Sequence, residues 1–157
     1  GLPDTFAPVV LIVMNVVYAL TAYPAGRLAD RMNRQTLLIA GIAVLIVADV
    51  ALAQAQGLGW VAIGVVLWGL HMGMTQGLLA TMVAATAPPE LRGTAFGFFN
   101  FVSGLSMLAA SIVAGLLWDK LGAPVTFYAG ALLSVVALAL LMVRRRSGTQ
   151  DPAGRLN

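Results

Sequence analysis

Ala25-Gly26-Arg27-Leu28-Ala29-Asp30-Arg31 returns later in the chain as Ala114-Gly115-Leu116-Leu117-Trp118-Asp119-Lys120, an offset of 89 residues from Ala25 to Ala114. The register holds into the segment that follows, where Ala40-Gly41 falls on Ala129-Gly130 and Val47 on Val136. Both copies close an apolar run and carry an Asp followed by a base. Charged residues make up only 10% of the chain, so chance likeness between stretches rich in Ala, Gly and Leu is the weaker explanation. Each copy is flanked by apolar stretches of about 20 residues, the length that crosses a hydrocarbon core of about 30 Å. The fold class follows: an all-α, polytopic membrane helix bundle.

Composition agrees. The 157 residues are 60% hydrophobic with a mean hydropathy of +0.92, whereas a water-soluble domain carries roughly a quarter charged residues. Most soluble enzyme classes are excluded, and so is a nucleic-acid partner: the formal charge of +3 comes from bases at the ends of apolar runs, where they orient helices in a bilayer. With no cysteine there is no disulfide frame and no thiolate metal site. No cofactor is implied. The chain opens at Gly1, with acidic Asp4 where a secretory signal would carry bases, and reads as a fragment of a longer protein.

Polar and proline-bearing breaks divide the apolar material into five spans, at about 6–25, 35–55, 60–85, 93–118 and 124–143, within a membrane unit of residues 1–146. The Pro88-Pro89 pair makes the third boundary firm, because proline cannot continue a helix. Residues 147–157 read as a polar, disordered cytoplasmic tail. Five crossings put the termini on opposite sides. Arg27, Arg31, Arg34, Arg92, Arg144, Arg145, Arg146 and Arg155 fall on one side and Lys120 alone on the other. That bias places the C-terminus in the cytoplasm and the start of the chain outside it, in a cell (inner or plasma) membrane protein. Three helices separate the two copies of the repeat, so they lie on opposite membrane faces. Inverted repeats of this kind build many secondary transporters.

These residues carry a family resemblance. Gly26-Arg27-Leu28-Ala29-Asp30-Arg31-Met32-Asn33-Arg34 resembles the cytoplasmic signature loop G-x-L-A-D-[RK]-x-G-[RK]-[RK] of the major facilitator superfamily. Pro89-Glu90-Leu91-Arg92-Gly93-Thr94-Ala95-Phe96-Gly97 is similar to the loop entering the fifth helix of that family's C-terminal half, and Ala114 to Asp119 to that helix's exit. The resemblance covers about residues 1–143 and implies the C-terminal six-helix bundle without its first helix. Asn33 stands where the signature has glycine, and Gln35 where it has its last base.

The resemblance implies a cytoplasmic gating motif of Gly26, Leu28, Asp30, Arg31, Arg34 and Arg92, whose contacts bridge the two six-helix halves and hold the outward-facing state. The chemistry is available locally: Asp30 can accept from the free N–H groups of a helix N-terminus or pair with Arg27, Arg31 or Arg34. The plainer alternative is that these arginines only anchor the helix ends and Asp30 tempers their repulsion. The resemblance also implies that helices one, three and four line a central cavity while two and five flank it. A small-molecule substrate site would then draw on Asn15, Tyr18, His71, Thr75, Gln76, Asn100 and Ser103.

Ionisable groups at membrane depth are functional candidates by default. His71, near the middle of the third span, is a possible proton-coupling group or, equally, a neutral imidazole bonded to a neighbouring helix. Asp49 lies 15 residues beyond Arg34, about 22 Å along its helix. It is a second possible proton site, though snorkelling or a hydrogen bond to a neighbour fits its position better. Gly69, Gly73 and Gly77 form a small-residue ridge, and Gly93, Gly97, Ser111 and Gly115 extend a second one. Their spacing predicts helices three and four as the tightest pair.

The reading is secondary active transport of a small solute by alternating access, as part of a twelve-helix permease with the lipid bilayer, the absent N-terminal six-helix bundle and, for coupling, protons as its partners. The alternative is a truncated, non-transporting membrane protein or helix-pairing module. An enzyme is not expected. The phosphate loop G-x-x-x-x-G-K-[ST] is missing, Ser103-Gly104 lacks the preceding glycine of an intramembrane serine protease, and one histidine and one acid on separate helices form no metal cluster.

Overall fold

A computed structural model describes residues 7–149, with side-chain surroundings from Pro8 to Arg144. The described residues form five helices, α1 (Ala7–Arg31), α2 (Arg34–Ala53), α3 (Leu58–Thr86), α4 (Arg92–Leu121) and α5 (Ala123–Thr149), with a 3-10 turn at Pro89–Leu91 leading into α4. All five are long and apolar enough to cross a membrane, and no strand occurs among the described residues. The backbone of a membrane span must satisfy its own hydrogen bonds, which leaves the helix as the form these open apolar runs can take.

The helices outrun the apolar stretches. α1 continues through Gly26 to Arg31 instead of stopping near Ala25, because Arg27, Leu28 and Ala29 favour helix and the charges end only the membrane run. Pro24 lies inside α1 and withholds the N–H that the Leu20 carbonyl would otherwise receive. α3 has 29 residues, which at about 1.5 Å each exceeds the hydrocarbon core. α5 runs through Arg144-Arg145-Arg146 to Thr149. The rest of the expected tail, residues 150–157 with Arg155, lies outside the described residues, as does Asp4, and the side chains of Arg145 and Arg146 are likewise undescribed.

α3 occupies the middle, packed against α1 on one side and α2 on the other, while α2 carries α5 on its outer flank. α4 leans on α5 and α3 and buries none of its residues. An apolar core of Leu37, Leu38 and Leu78, joined by Ala29, Met74, Met82 and Leu141, fills the end where α1, α2, α3 and α5 converge. At the opposite end, Phe127 meets Trp68 and Trp118 edge to face, with ring centroids 6.3 and 6.0 Å away. Ala29 of the first repeat copy thus packs with the Leu78 cluster, and Trp118 of the second with the Phe127 cluster.

The expected α3–α4 seam is not where helices approach most closely. A Cβ at Gly69 would stand 2.6 Å from the Met14 carbonyl oxygen, and one at Gly73 would stand 2.6 Å from Thr21 Cβ, so both glycines seat α1. Gly41 and Gly64 play the same part between α2 and α3, against Thr75 and Leu52. Gly93, Gly97 and Gly115 of α4 have nothing within 4 Å. Four-residue spacing marks a face suited to close approach, but it does not say which helix will use it.

Candidate functional site

A groove of about 280 Å³ opens between α1 and α3 at the end that bears the arginines. Tyr18, Gly26 and Asp30 line it from α1, Gly73, Gly77 and Thr81 from α3, and Arg34 from the start of α2. Its shape follows from the glycine ridge. Gly69 and Gly73 clamp α1 onto α3, whereas a Cβ at Gly77 or Gly26 would find nothing within 4 Å, so the walls recede. Thr81 lines the groove and donates its hydroxyl to the Gly77 carbonyl of its own helix at 2.6 Å.

Asp30 and Arg34 are exposed, and Asp30 makes no ion pair or side-chain hydrogen bond among the described residues. It neither pairs with Arg27, Arg31 or Arg34 nor caps α2 within this chain. Arg27 lies over the Tyr23 ring, 5.9 Å from its centroid. Leu28, Arg31 and Arg92 are exposed, the last at the first residue of α4.

The remaining sequence candidates scatter. Tyr18 is the one cavity candidate that lines the groove. His71 faces α2, with Nδ1 2.8 Å from the Gly41 carbonyl oxygen, and the buried Thr75 donates to the His71 carbonyl at 2.9 Å. An imidazole next to a carbonyl must present N–H there, so Nδ1 is the donor. Asn15 is exposed and donates to the Leu11 carbonyl of its own helix at 2.8 Å. It lies on a shallow apolar surface with Ile12 and Val16, apart from Tyr18. Gln76 and Asn100 are exposed and Ser103 is half-buried. Asp49 is buried against α5 instead of reaching for the helix end.

Against known proteins, residues 1–156 match the family described as the Major Facilitator Superfamily. The chain belongs to that superfamily. It is 29% identical over 136 residues to an MFS-type transporter of Methanocaldococcus jannaschii, covering 86% of this chain and 34% of the relative. A lysosomal dipeptide transporter of Homo sapiens is 30% identical over 142 residues, at 85% and 30% coverage. The tetracenomycin C resistance and export protein of Streptomyces glaucescens is 26% identical over 125 residues, at 80% and 23%. The chain thus spans about a third or less of the length of these curated relatives.

Within this superfamily chain, the two departures from the signature do structural work. Asn33 caps α2, its Oδ1 accepting from the Gln35 backbone N–H at 2.8 Å. The Gln35 side chain donates to the Leu141 carbonyl of α5 at 3.4 Å. Asn directly before an apolar run is a start signal for a helix, and that signal was present in the sequence. The Gln35 contact, between residues 106 apart, has no local signature.

Proposed function

We propose that this superfamily chain supplies helices of a secondary active transporter that moves a small organic solute by alternating access, its arginine-bearing end facing the cytoplasm. The observation that carries the reading is the α1–α3 groove, lined by Gly26 and Gly77 beside an unpaired Asp30. A carboxylate left exposed at a helix junction is free to accept from the N-terminus of a helix in a second half of the transporter, which is what a gate between two bundles needs. The relatives' names point to different cargo, dipeptides in one and tetracenomycin C in another, so the substrate class stays at a small organic solute. Tyr18, Thr81 and Arg34 are the residues proposed to meet it.

The full-length protein in proteoliposomes is expected to show saturable, gradient-driven uptake or exchange of such a solute. A folded protein that moves none of a broad solute panel would favour the non-transporting alternative.

His71 takes a packing role in this reading, because its donor is committed to α2. His71→Gln keeps an N–H for Gly41 and is expected to leave the pH profile of transport unchanged, with a stability loss of about 1 kcal/mol or less. A displaced profile would return proton coupling to His71.

A further inference from the structure

Asp49 is the ionisable group of the spans that neither the groove nor the His71 contact uses. It is 5% exposed, on a stretch of α2 that also buries Ala48, Ala51 and Leu52. A Cβ on residue 130 of α5 would stand 3.0 Å from Asp49 Oδ2 and 3.5 Å from its Cγ. The carboxyl group therefore lies directly against the α5 backbone, and glycine at 130 is what admits it. No ion pair or side-chain hydrogen bond engages it among the described residues.

Its surroundings supply no counter-charge. On α3 the residues packed against this part of α2 include Gly64, and the helix's one titratable group, His71, is engaged at Gly41, eight residues or about 12 Å back along α2. On α5 the nearby Tyr128 is exposed and the first base is Arg144. α1, which touches α2 lightly, carries Tyr18 and Tyr23 and no charge before Arg27 among its described residues, and Asp119 and Lys120 of α4 are exposed at that helix's end. A bare carboxylate with no counter-charge or hydrogen bond is costly at membrane depth, and taking up a proton removes that cost.

We propose that Asp49 is a proton-binding group on the α2–α5 seam: the seam closes on the neutral carboxyl, and loosens and takes in water when the proton leaves to the aqueous phase at the nearer membrane face. The site is on a different flank of α2 from the α1–α3 groove and does not depend on the transport reading.

The test uses the full-length protein in lipid, with other cysteines removed and spin labels at Gln54→Cys and Val125→Cys, both exposed near this end. Distances are measured by pulsed electron resonance between about pH 5 and 9, without substrate. The long-distance population is expected to grow relative to the short one as pH rises, by up to about tenfold per pH unit, the limit for one proton. Asp49→Asn should hold the short distance at every pH, and Gly130→Ala, which crowds the carboxyl, should enlarge the long-distance population at a given pH. A control pair at Ile12→Cys and Trp60→Cys, across α1 and α3, should stay fixed. A wild-type distance that ignores pH overturns the proposal, as does Asp49→Asn with the wild-type profile or a control pair that moves equally. Loss of transport with an intact distance profile would count against the transport reading alone.

Discussion

Replacing Gly69 with alanine is expected to lower the melting temperature of the protein in detergent by several degrees, while the same change at Gly77 leaves it unmoved or raises it. The two glycines belong to one ridge and are equally helical, so propensity favours alanine at both by about 1 kcal/mol. Space separates them. At Gly69 the new methyl group would stand 2.6 Å from the Met14 carbonyl oxygen and 2.9 Å from Val17 Cβ. Backbone cannot swing aside as a long side chain can, so α1 must back away from α3 along the contact that also holds Gly73 against Thr21. Overpacking of this kind costs about 1–3 kcal/mol, enough to overcome the propensity gain. Gly77 has nothing within 4 Å. Equal shifts for Gly69→Ala and Gly77→Ala in a thermal melt would contradict the assignment of α1 as the ridge's partner.

Asp30→Asn is expected to slow net transport several-fold in the full-length protein without unfolding it. The side chain is exposed and bonds to nothing within the described residues, so its loss removes no internal support, and the melting temperature should stay within what about 0.5 kcal/mol can move. Its proposed partner is a helix N-terminus in a second bundle. A carboxylate there is worth about 0.3–2 kcal/mol, and every 1.4 kcal/mol is tenfold in an equilibrium. On the proposed gating role, removing it is expected to bias the transporter away from the outward-facing state and to lengthen the return step. A wild-type rate in the Asp30→Asn protein would leave the arginines and Asp30 as membrane anchors only.

The number of helices and the fold class were legible because membrane crossing demands apolar length. Helix ends were less so. The arginines of α1 break the apolar run, but a helix continues past such a break wherever its residues favour it, as Arg27 to Arg31 do. The glycine ridge was visible and its partner was not, since Gly69, Gly73 and Gly77 look alike in sequence and only the path of α1 separates the clamped pair from the open one. Asn33 showed as a blemish in the signature, yet it caps α2. Of the proposed cavity residues, Tyr18 reaches the groove. His71 and Thr75 share a helical face with each other, and that face belongs to the α2 contact. Asp49 was visible as a costly charge, but its contact with Gly130 joins residues that no short-range pattern links.

In the proposed transport cycle the groove opens and closes in alternation with the opposite end of the same bundle. Single cysteines at Thr81→Cys, in the groove, and Asn15→Cys, on the outer part of α1, report on the two ends. Their rates of reaction with a water-soluble maleimide would be measured in the full-length protein with Asp30 present and with Asp30→Asn. Alternating access predicts that Thr81→Cys reacts several-fold faster and Asn15→Cys slower when Asp30 is removed. Rates that rise together, or that do not change at either position, would contradict it.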